Sequence, residues 1–214
     1  MFFEPGISQI SPEYMKPTQR AYDMRARMIK DIQRFTDRHY NRTQNDIAPH
    51  GFNFETIPDS SGNTWRVPRE NGFAVAEDIH MSMASFDYSA CIAGVLRNSA
   101  PILYHATPTA RLHTQEPNPL FTHPLIHLSQ QGLTPEEVAN RELILLYNKH
   151  IQRSQNAIHE TVQKAQELFP GLIIKAIPIP FNGDFDVIVI GDEVSVWHAM
   201  RSDNPSQGYV VKHG

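Results

Sequence analysis

The chain runs Ser85-Phe86-Asp87-Tyr88-Ser89-Ala90-Cys91-Ile92-Ala93-Gly94-Val95-Leu96, then Arg97-Asn98-Ser99, then Ala100-Pro101-Ile102-Leu103-Tyr104-His105. Its first half alternates between two kinds of side chain, as a strand with one buried face does. The small or polar ones share one predicted face: Ser85, Asp87, Ser89 and Cys91. The apolar ones share the other: Phe86, Tyr88, Ala90 and Ile92. The polar turn at 97–99 between two apolar strands predicts a β-hairpin.

The register of this hairpin decides which side chains meet. With a loop of 97–99, Leu96 faces Ala100, and equal steps outward place Cys91 opposite His105. Opposed residues of an antiparallel pair have Cβ atoms about 4.5–5.5 Å apart, so a thiol and an imidazole there are within reach. A loop one residue longer or shorter would turn His105 to the other face.

A Cys91–His105 pair has a clear chemical meaning. A free thiol has a pKa near 8.5, so about 3% is ionised at neutral pH, and an adjacent imidazole that accepts its proton generates a nucleophile. Such a pair is suited to acyl transfer from an amide or ester through a thioester. The alternative is that this single cysteine is an inert buried residue.

The same residues resemble the catalytic segment of the bacterial toxin glutamine deamidases. This group contains the Burkholderia lethal factor and the catalytic domain of cytotoxic necrotizing factor, and it is related in fold to the chemoreceptor deamidase CheD. In that group a Ser-Gly-Cys turn carries the nucleophile and a later histidine is the base; here the turn is Ser89-Ala90-Cys91 and the histidine is His105. A threonine of the family corresponds to Ser85, and Ala90 departs from the family glycine.

The resemblance implies a β-sandwich flanked by helices and a cysteine-dependent protein glutamine deamidase. Cys91 would be the nucleophile and His105 the base, with Ser85 orienting the imidazole or the substrate amide. Asp87 or a backbone carbonyl are alternatives for this third role, and His198 is the reserve base. The substrate would be a host protein, reached from the bacterial cytoplasm without a cleavable signal peptide. A transglutaminase or protease with the same pair is a rival interpretation.

Composition limits the other classes of function. The chain has 19 Lys and Arg against 23 Asp and Glu, a net charge of −4, which disfavours a broad nucleic-acid or anionic-membrane surface. One cysteine excludes an internal disulfide and a thiolate zinc site. No apolar run approaches the ~20 residues that span a bilayer, and the first residues lack the pattern of a secretory signal peptide. We expect no cofactor.

The N-terminal part, 1–45, is predicted to be a proline-rich arm followed by a helix from Thr18. Its apolar positions have helical spacing: Tyr22, Met28, Ile29, Ile32 and Phe35. Its basic residues predict a solvated face: Arg20, Arg25, Arg27, Lys30, Arg34 and Arg38. A non-enzymatic adaptor that binds a partner protein through this helix is the second functional hypothesis. Residues 46–214 would form one α+β domain.

Short strands are predicted at 52–57, 64–67 and 73–76, as a β-meander leading into the hairpin. The stretch 107–132 reads as a long irregular loop that would cover the site, recognise substrate or serve the adaptor. It contains His113, His123 and His127, but their spacing matches no standard zinc pattern, so no metal is expected.

The C-terminal half begins with the capping box Thr134-Pro135-Glu136-Glu137, which predicts a helix start. We expect one helix to Leu168, bent near 154–156, and then strands at 172–179, 185–190 and 194–197, with a short strand at 209–211. The predicted class is therefore α+β, with a predominantly antiparallel sheet or sandwich core flanked by helices.

Overall fold

The structure is a computed structural model that describes residues 14–27, 29, 55–57, 64–67, 71, 73–75, 82–114, 121–130, 133–199 and 202–211. Its strands are β1 (Tyr14–Met15), β2 (Glu55–Ile57), β3 (Thr64–Val67), β4 (Phe73–Val75), β5 (Ser82–Tyr88), β6 (Ile92–Arg97), β7 (Ile102–Ala106), β8 (Glu142–Tyr147), β9 (Ile173–Pro178), β10 (Phe185–Ile190), β11 (Glu193–His198) and β12 (Gly208–Val211). Its helices are α1 (residues 19–27), α2 (Pro124–Gln130), α3 (Pro135–Val138) and α4 (Gln152–Leu168).

The described strands form two sheets. The large sheet has the order β1-β12-β11-β10-β5-β3-β2, and the small sheet has the order β4-β7-β6-β8-β9. Between these named strands, β3 pairs in parallel with β5 and β8 with β9, and the other pairs are antiparallel. The predicted α+β class with a mostly antiparallel sheet core is confirmed.

Three apolar clusters show how the layers stack. The first lies between the sheets and joins residues from both: Met83, Tyr88, Ala93, Val95, Leu103, Ile144, Leu146, Val187, Val189 and Val196. The second joins the other face of the small sheet to α2 and α4, through residues that include Leu125, Leu128, Leu143, Ile158 and Val162. The third joins the other face of the large sheet to α1: Ala21, Met24, Ala84, Phe86, Ile188, Ile190 and Trp197. Helices therefore cover both outer faces of a β-sandwich.

The predicted β-meander is wrong, although its three strands are present. β2 and β3 form an antiparallel hairpin in the large sheet, but β4 pairs with β7 in the small sheet. The next strand, β5, returns to the large sheet and pairs in parallel with β3. Strand propensity and turn residues locate strands along the chain, but the partner of each strand depends on which face it buries.

The continuous helix predicted from 134 to 168 is also wrong. The capping box is confirmed, since the Thr134 hydroxyl accepts from the Glu137 N–H at 3.3 Å and the Glu137 carboxylate accepts from the Thr134 N–H at 2.9 Å. However, α3 ends at Val138, and residues 142–147 form the buried strand β8. A short apolar run fits a buried strand as well as a buried helix.

The physical reason is a β8-α4-β9 unit. β8 lies between β6 and β9, and it pairs in parallel with β9, so the chain must cross over between the two strands. Helix α4 provides this crossover, and its buried residues pack on the small sheet. The apolar residues of 142–147 are therefore buried on both faces of a central strand, and they do not form one apolar face of a helix.

The long loop predicted at 107–132 contains helix α2, so this prediction is wrong for residues 124–130. Leu125 and Leu128 of α2 belong to the apolar cluster under the small sheet. His123 and His127 are buried, whereas His113 is exposed. Within this stretch, Arg111 and Thr122 form an isolated parallel β-bridge.

The described part of the N-terminal segment packs on the large sheet. β1 pairs with β12, and α1 contributes Ala21 and Met24 to an apolar cluster. Arg25, predicted to be solvated, is 1% exposed. The predicted boundary at residue 45 and the apolar positions Met28, Ile32 and Phe35 lie outside the described residues. Among the helices that the structure describes, none combines the length and apolar character needed to cross a bilayer.

Candidate active site

The stretch 85–96 is two strands rather than one. β5 ends at Tyr88 in the large sheet, and β6 begins at Ile92 in the small sheet. Residues 89–91 carry the chain from one sheet to the other, so Cys91 lies on this crossing and not within a strand. The predicted continuous strand is wrong here. Its alternating pattern continued across the crossing because polar and small residues are equally suited to a bend.

A β-bulge at the end of β5 changes which side chains share a face. Tyr88 pairs with Phe185 and Ser85 pairs with Val187, so two residues of β5 stand opposite one residue of β10. The two residues are Phe86 and Asp87, which stand opposite Asp186. Asp87 has a left-handed φ of 58°. The alternation predicted opposite faces for Ser85 and Tyr88; this is wrong, because the bulge turns both side chains toward His105 of the small sheet.

The hairpin of β6 and β7 is confirmed, but with a different register. Leu96 pairs with Ile102 and Ala93 pairs with His105, so the connection is two residues longer than predicted and His105 does not face Cys91 directly. Because the side-chain period of a strand is two, a shift of two residues keeps His105 on the predicted face. Cys91 precedes Ala93, the partner of His105, by two positions.

Arg141 explains the longer connection. Its buried guanidinium donates to the carbonyl oxygens of Leu96 at 3.4 Å, Arg97 at 3.3 Å and Ala100 at 2.6 Å. Asn98 in the same turn has a left-handed φ of 66°. Three backbone acceptors are thus satisfied by a side chain from a distant part of the sequence, which stabilises a wider turn than the local residues indicate.

Ser85 and His105 form the polar centre of the site. The Ser85 Oγ lies 3.2 Å from the His105 Nδ1, and the two residues are 0% and 1% exposed. A hydroxyl can donate to or accept from an imidazole nitrogen, so the His105 tautomer decides the direction. With Nδ1 engaged by Ser85, Nε2 is the nitrogen suited to exchange a proton with a nucleophile.

Tyr88 is a site residue that the sequence analysis placed on the core side only. Its ring stacks on the His105 ring with centroids 3.9 Å apart and an angle of 12°, and on Phe185 at 4.9 Å. Its hydroxyl donates to the Tyr104 carbonyl at 3.1 Å. Stacking on Tyr88 therefore fixes the plane of the His105 ring, and the Ser85 hydroxyl contacts one of its nitrogens.

Cys91 borders this group. It is partly exposed and packs against the apolar cluster between the sheets, to which Tyr88 belongs. Burial raises the pKa of the Tyr88 phenol well above its usual range, a hydrogen bond with Ser85 opposes this shift, and an ionised Cys91 would raise the pKa further. The structure thus brings Ser85 and His105 into contact and packs Cys91 against the apolar cluster that contains Tyr88, whose ring stacks on His105.

His198, the reserve base, lies apart from this group. It pairs with Phe185 across β10 and β11, so β10 separates it from β5. Its ring stacks on Phe181 at 3.7 Å, and burial lowers its pKa. These contacts leave His105 as the histidine that adjoins Ser85.

Two histidines of the 107–132 stretch lie away from His105. His123 and His127 lie under the small sheet with α2 and α4, on the face opposite His105. Across the described ranges, no group of three or more His, Cys, Asp or Glu residues is arranged to hold a metal ion.

Comparison with known proteins adds no assignment. A scan of the chain against models of protein families found no match, and a search of the curated proteins found none either.

Proposed function

We propose that this protein is a cysteine-dependent glutamine deamidase that acts on a protein. The observation that carries the proposal is the buried Ser85–His105 contact of 3.2 Å at the end of the β6–β7 pair that the partly exposed Cys91 precedes. Cys91 is the nucleophile, His105 is the base and Ser85 orients the imidazole. The choice of a glutamine side chain, and of a host protein as its carrier, rests on the resemblance of these residues to the toxin deamidases.

The position of Cys91 supports this role. Cys91 directly precedes Ile92, the first residue of β6, and Ala93 of β6 pairs with His105, so Cys91 and His105 lie at the same end of the β6–β7 pair. A thiol and an imidazole at one end of a strand pair can exchange a proton where their side chains converge, directly or through one water. Cys91 is partly exposed, which the approach of a side chain of another protein requires.

The reaction then proceeds in two halves. His105 accepts the Cys91 proton, and the thiolate attacks the amide carbon of the glutamine to form a tetrahedral oxyanion. Collapse breaks the C–N bond, and His105 returns the proton to the departing ammonia, leaving a thioester. His105 next takes a proton from water, whose oxygen attacks the thioester; Cys91 leaves as the thiol, and the product is glutamate.

Backbone N–H groups near Cys91 are the proposed oxyanion donors. Such donors contribute about 10²–10³-fold each in enzymes of acyl transfer. The family glycine is replaced by Ala90 here, a residue at a bend of the chain. Ala90 does not remove an N–H, so the donors remain available in this sequence.

The adaptor hypothesis has less support. It relied on a basic solvated helix; Arg20 of α1 is exposed, but Arg25 is buried in an ion pair with Asp186. It also relied on an exposed histidine-rich loop, but His123 and His127 are buried. These residues stabilise the fold instead of forming a binding surface.

The test combines thiol reactivity with substrate conversion. We would measure the pH dependence of iodoacetamide alkylation of Cys91 in wild type and His105→Ala. The protein would then be incubated with host-cell lysate, with ammonia release and glutamine-to-glutamate conversion measured by mass spectrometry. The proposal expects alkylation well below pH 8.5, the range of an ordinary thiol, with reversion in His105→Ala, and no conversion in Cys91→Ala.

Other outcomes would contradict it. Lysine or amine adducts on the lysate proteins would identify a transglutaminase, and peptide cleavage would identify a protease. A Cys91 that reacts equally with and without His105, together with partner binding unchanged in Cys91→Ala, would favour the adaptor.

A further inference from the structure

A buried ion pair contacts the β-bulge of the proposed site. Asp186 of β10 is 0% exposed, and its Oδ2 lies 2.5 Å from the Nη2 of Arg25 on α1. Its Oδ1 accepts a hydrogen bond from the backbone N–H of Asp87 at 2.8 Å. The carboxylate therefore connects α1, β10 and the bulged residue of β5.

Arg25 is itself held by several groups. Its guanidinium donates to the carbonyl oxygens of His198 at 2.9 Å and Pro205 at 3.4 Å. It also lies over the rings of Phe86 and Trp197, 5.8 and 6.0 Å from their centroids. A cation fixed in this way gives Asp186 a defined position, and without it the carboxylate would be a costly buried charge.

The Asp87 N–H needs an acceptor of this kind. In a β-bulge the extra residue leaves the ladder, so its N–H has no regular partner on the neighbouring strand. The Asp186 carboxylate supplies the acceptor from that neighbouring strand. Asp87 stands between the two residues that contact His105, Ser85 by hydrogen bond and Tyr88 by stacking.

We propose that Asp186, held by Arg25, is a positioning residue for His105. By binding the Asp87 N–H, it stabilises the bulge that turns Ser85 and Tyr88 toward the same imidazole. Its importance for catalysis rests on the proposed function, whereas its control of the His105 environment rests on the geometry alone. Arg25 and Asp186 touch neither substrate nor nucleophile in this scheme.

Two double variants isolate the acceptor oxygen. Arg25→Met with Asp186→Asn, and Arg25→Met with Asp186→Ala, both remove the buried charges, so neither leaves an unpaired ion. The asparagine keeps a side-chain carbonyl for the Asp87 N–H, and the alanine does not. The two proteins therefore differ in the contact that the proposal invokes, as well as in side-chain volume.

Two readouts are measured in the full chain. The first is the NMR shift of the His105 ring protons, which stacking on Tyr88 moves upfield. The second is the pH profile of Cys91 alkylation by iodoacetamide. The asparagine variant should match wild type in both. The alanine variant should lose the upfield shift, and its alkylation rate at pH 7 should fall about tenfold or more, toward an ordinary thiol with about 3% thiolate.

Glu142→Gln is the matched control. Glu142 is a buried carboxylate with its own cations, Arg97 at 3.3 Å and Lys175, but it lies at the opposite end of β8 from the strand residues that flank Cys91. The Glu142→Gln substitution should lower the free energy of unfolding and leave both readouts unchanged. If a general loss of stability caused the changes in the alanine variant, Glu142→Gln would change the His105 ring shift and the alkylation profile as well.

The outcomes separate this inference from the proposed function. Wild-type readouts in the alanine variant, or a lost ring shift in the asparagine variant, would overturn the positioning role. If the alanine variant does not fold, the asparagine variant still decides, since it must resemble wild type. If wild-type Cys91 shows no activation but the alanine variant still loses the ring shift, the deamidase proposal fails and the positioning role stands.

Discussion

The two faces of β7 each carry a buried histidine against a tyrosine, and the two pairs have different surroundings. On the inner face, His105 stacks on Tyr88 at 3.9 Å and contacts Ser85. On the outer face, Tyr104, the residue before His105, meets His123 edge to face at 5.5 Å. Both histidines are 1% exposed, so burial alone does not distinguish them.

The difference lies in what their ring nitrogens meet. The His123 Nδ1 accepts from the Leu125 N–H at 3.2 Å, and its Nε2 lies 3.4 Å from the Thr161 hydroxyl. Burial, with a smaller effect of His127, lowers the pKa of His123 to about 3. His123 is thus a neutral structural group. His105 lies at the end of the β6–β7 pair that Cys91 precedes, and the proposed function assigns its proton a role in the reaction.

The largest expected effect is the loss of activity when His105 is replaced. His105→Ala should lower kcat for glutamine hydrolysis by about 10²–10⁴-fold, because a general acid–base group contributes that much. His123→Ala should leave kcat within about threefold, since His123 packs on Tyr104 on the face of β7 opposite His105. It should instead lower the free energy of unfolding by about 2–4 kcal/mol through a cavity. Ammonia release and urea unfolding measure the two quantities.

Equal loss of activity in the two variants at temperatures where both are folded would contradict this contrast. It would mean that the sandwich transmits any change in β7 to Cys91.

The second effect is the pH dependence of stability from His123. Its pKa is about 3 in the folded protein against 6.5 for the free side chain, so the unfolded chain binds more protons between these values. The contribution of neutral His123 to the free energy of unfolding is therefore fully present above pH 6.5. It falls with acidification by up to about 1.4 kcal/mol per pH unit. His123→Gln should show a shallower fall in the urea midpoint between pH 6.5 and 4.5.

Carboxylates titrate in both proteins, so they cancel when the two slopes are compared. Identical slopes in wild type and His123→Gln would show that His123 is not held neutral by burial.

The smallest expected effect concerns Ser85. Ser85→Ala removes one hydrogen bond to His105, worth about 1 kcal/mol, which corresponds to about a five- to tenfold lower kcat. Ser85→Thr keeps the hydroxyl and should recover most of this loss. The pH profile of kcat should shift in Ser85→Ala and return in Ser85→Thr. A profile that is unchanged in Ser85→Ala would remove Ser85 from the site and leave Asp87 or a backbone carbonyl for this role.

Part of the site was predictable because local pattern carries it. The polar turn after Leu96 indicated the hairpin, and parity along the strand placed His105 on the correct face. The register itself was wrong by two residues, because Arg141 binds three carbonyls of the turn from outside the hairpin. A side chain so distant in sequence leaves no signal in the local pattern.

Asp186 and Arg25 show a second limit. An aspartate within the apolar run at 185–190 is a signal of a paired buried charge. Arg25 gave no such signal, because it is one of several arginines in the same helix. Its burial depends on which face of α1 meets the large sheet.

The amino-acid sequence by itself determined the α+β class, most strand positions, the capping box at Thr134 and the pairing of β6 with β7. Each of these depends on periodicity or on turn chemistry within a few residues. The tertiary structure alone decided the strand at 142–147, the bulge at Asp87 and the burial of His123. These depend on partners distant in the chain, and the contacts among Ser85, Tyr88 and His105 exist because two sheets bring those partners together.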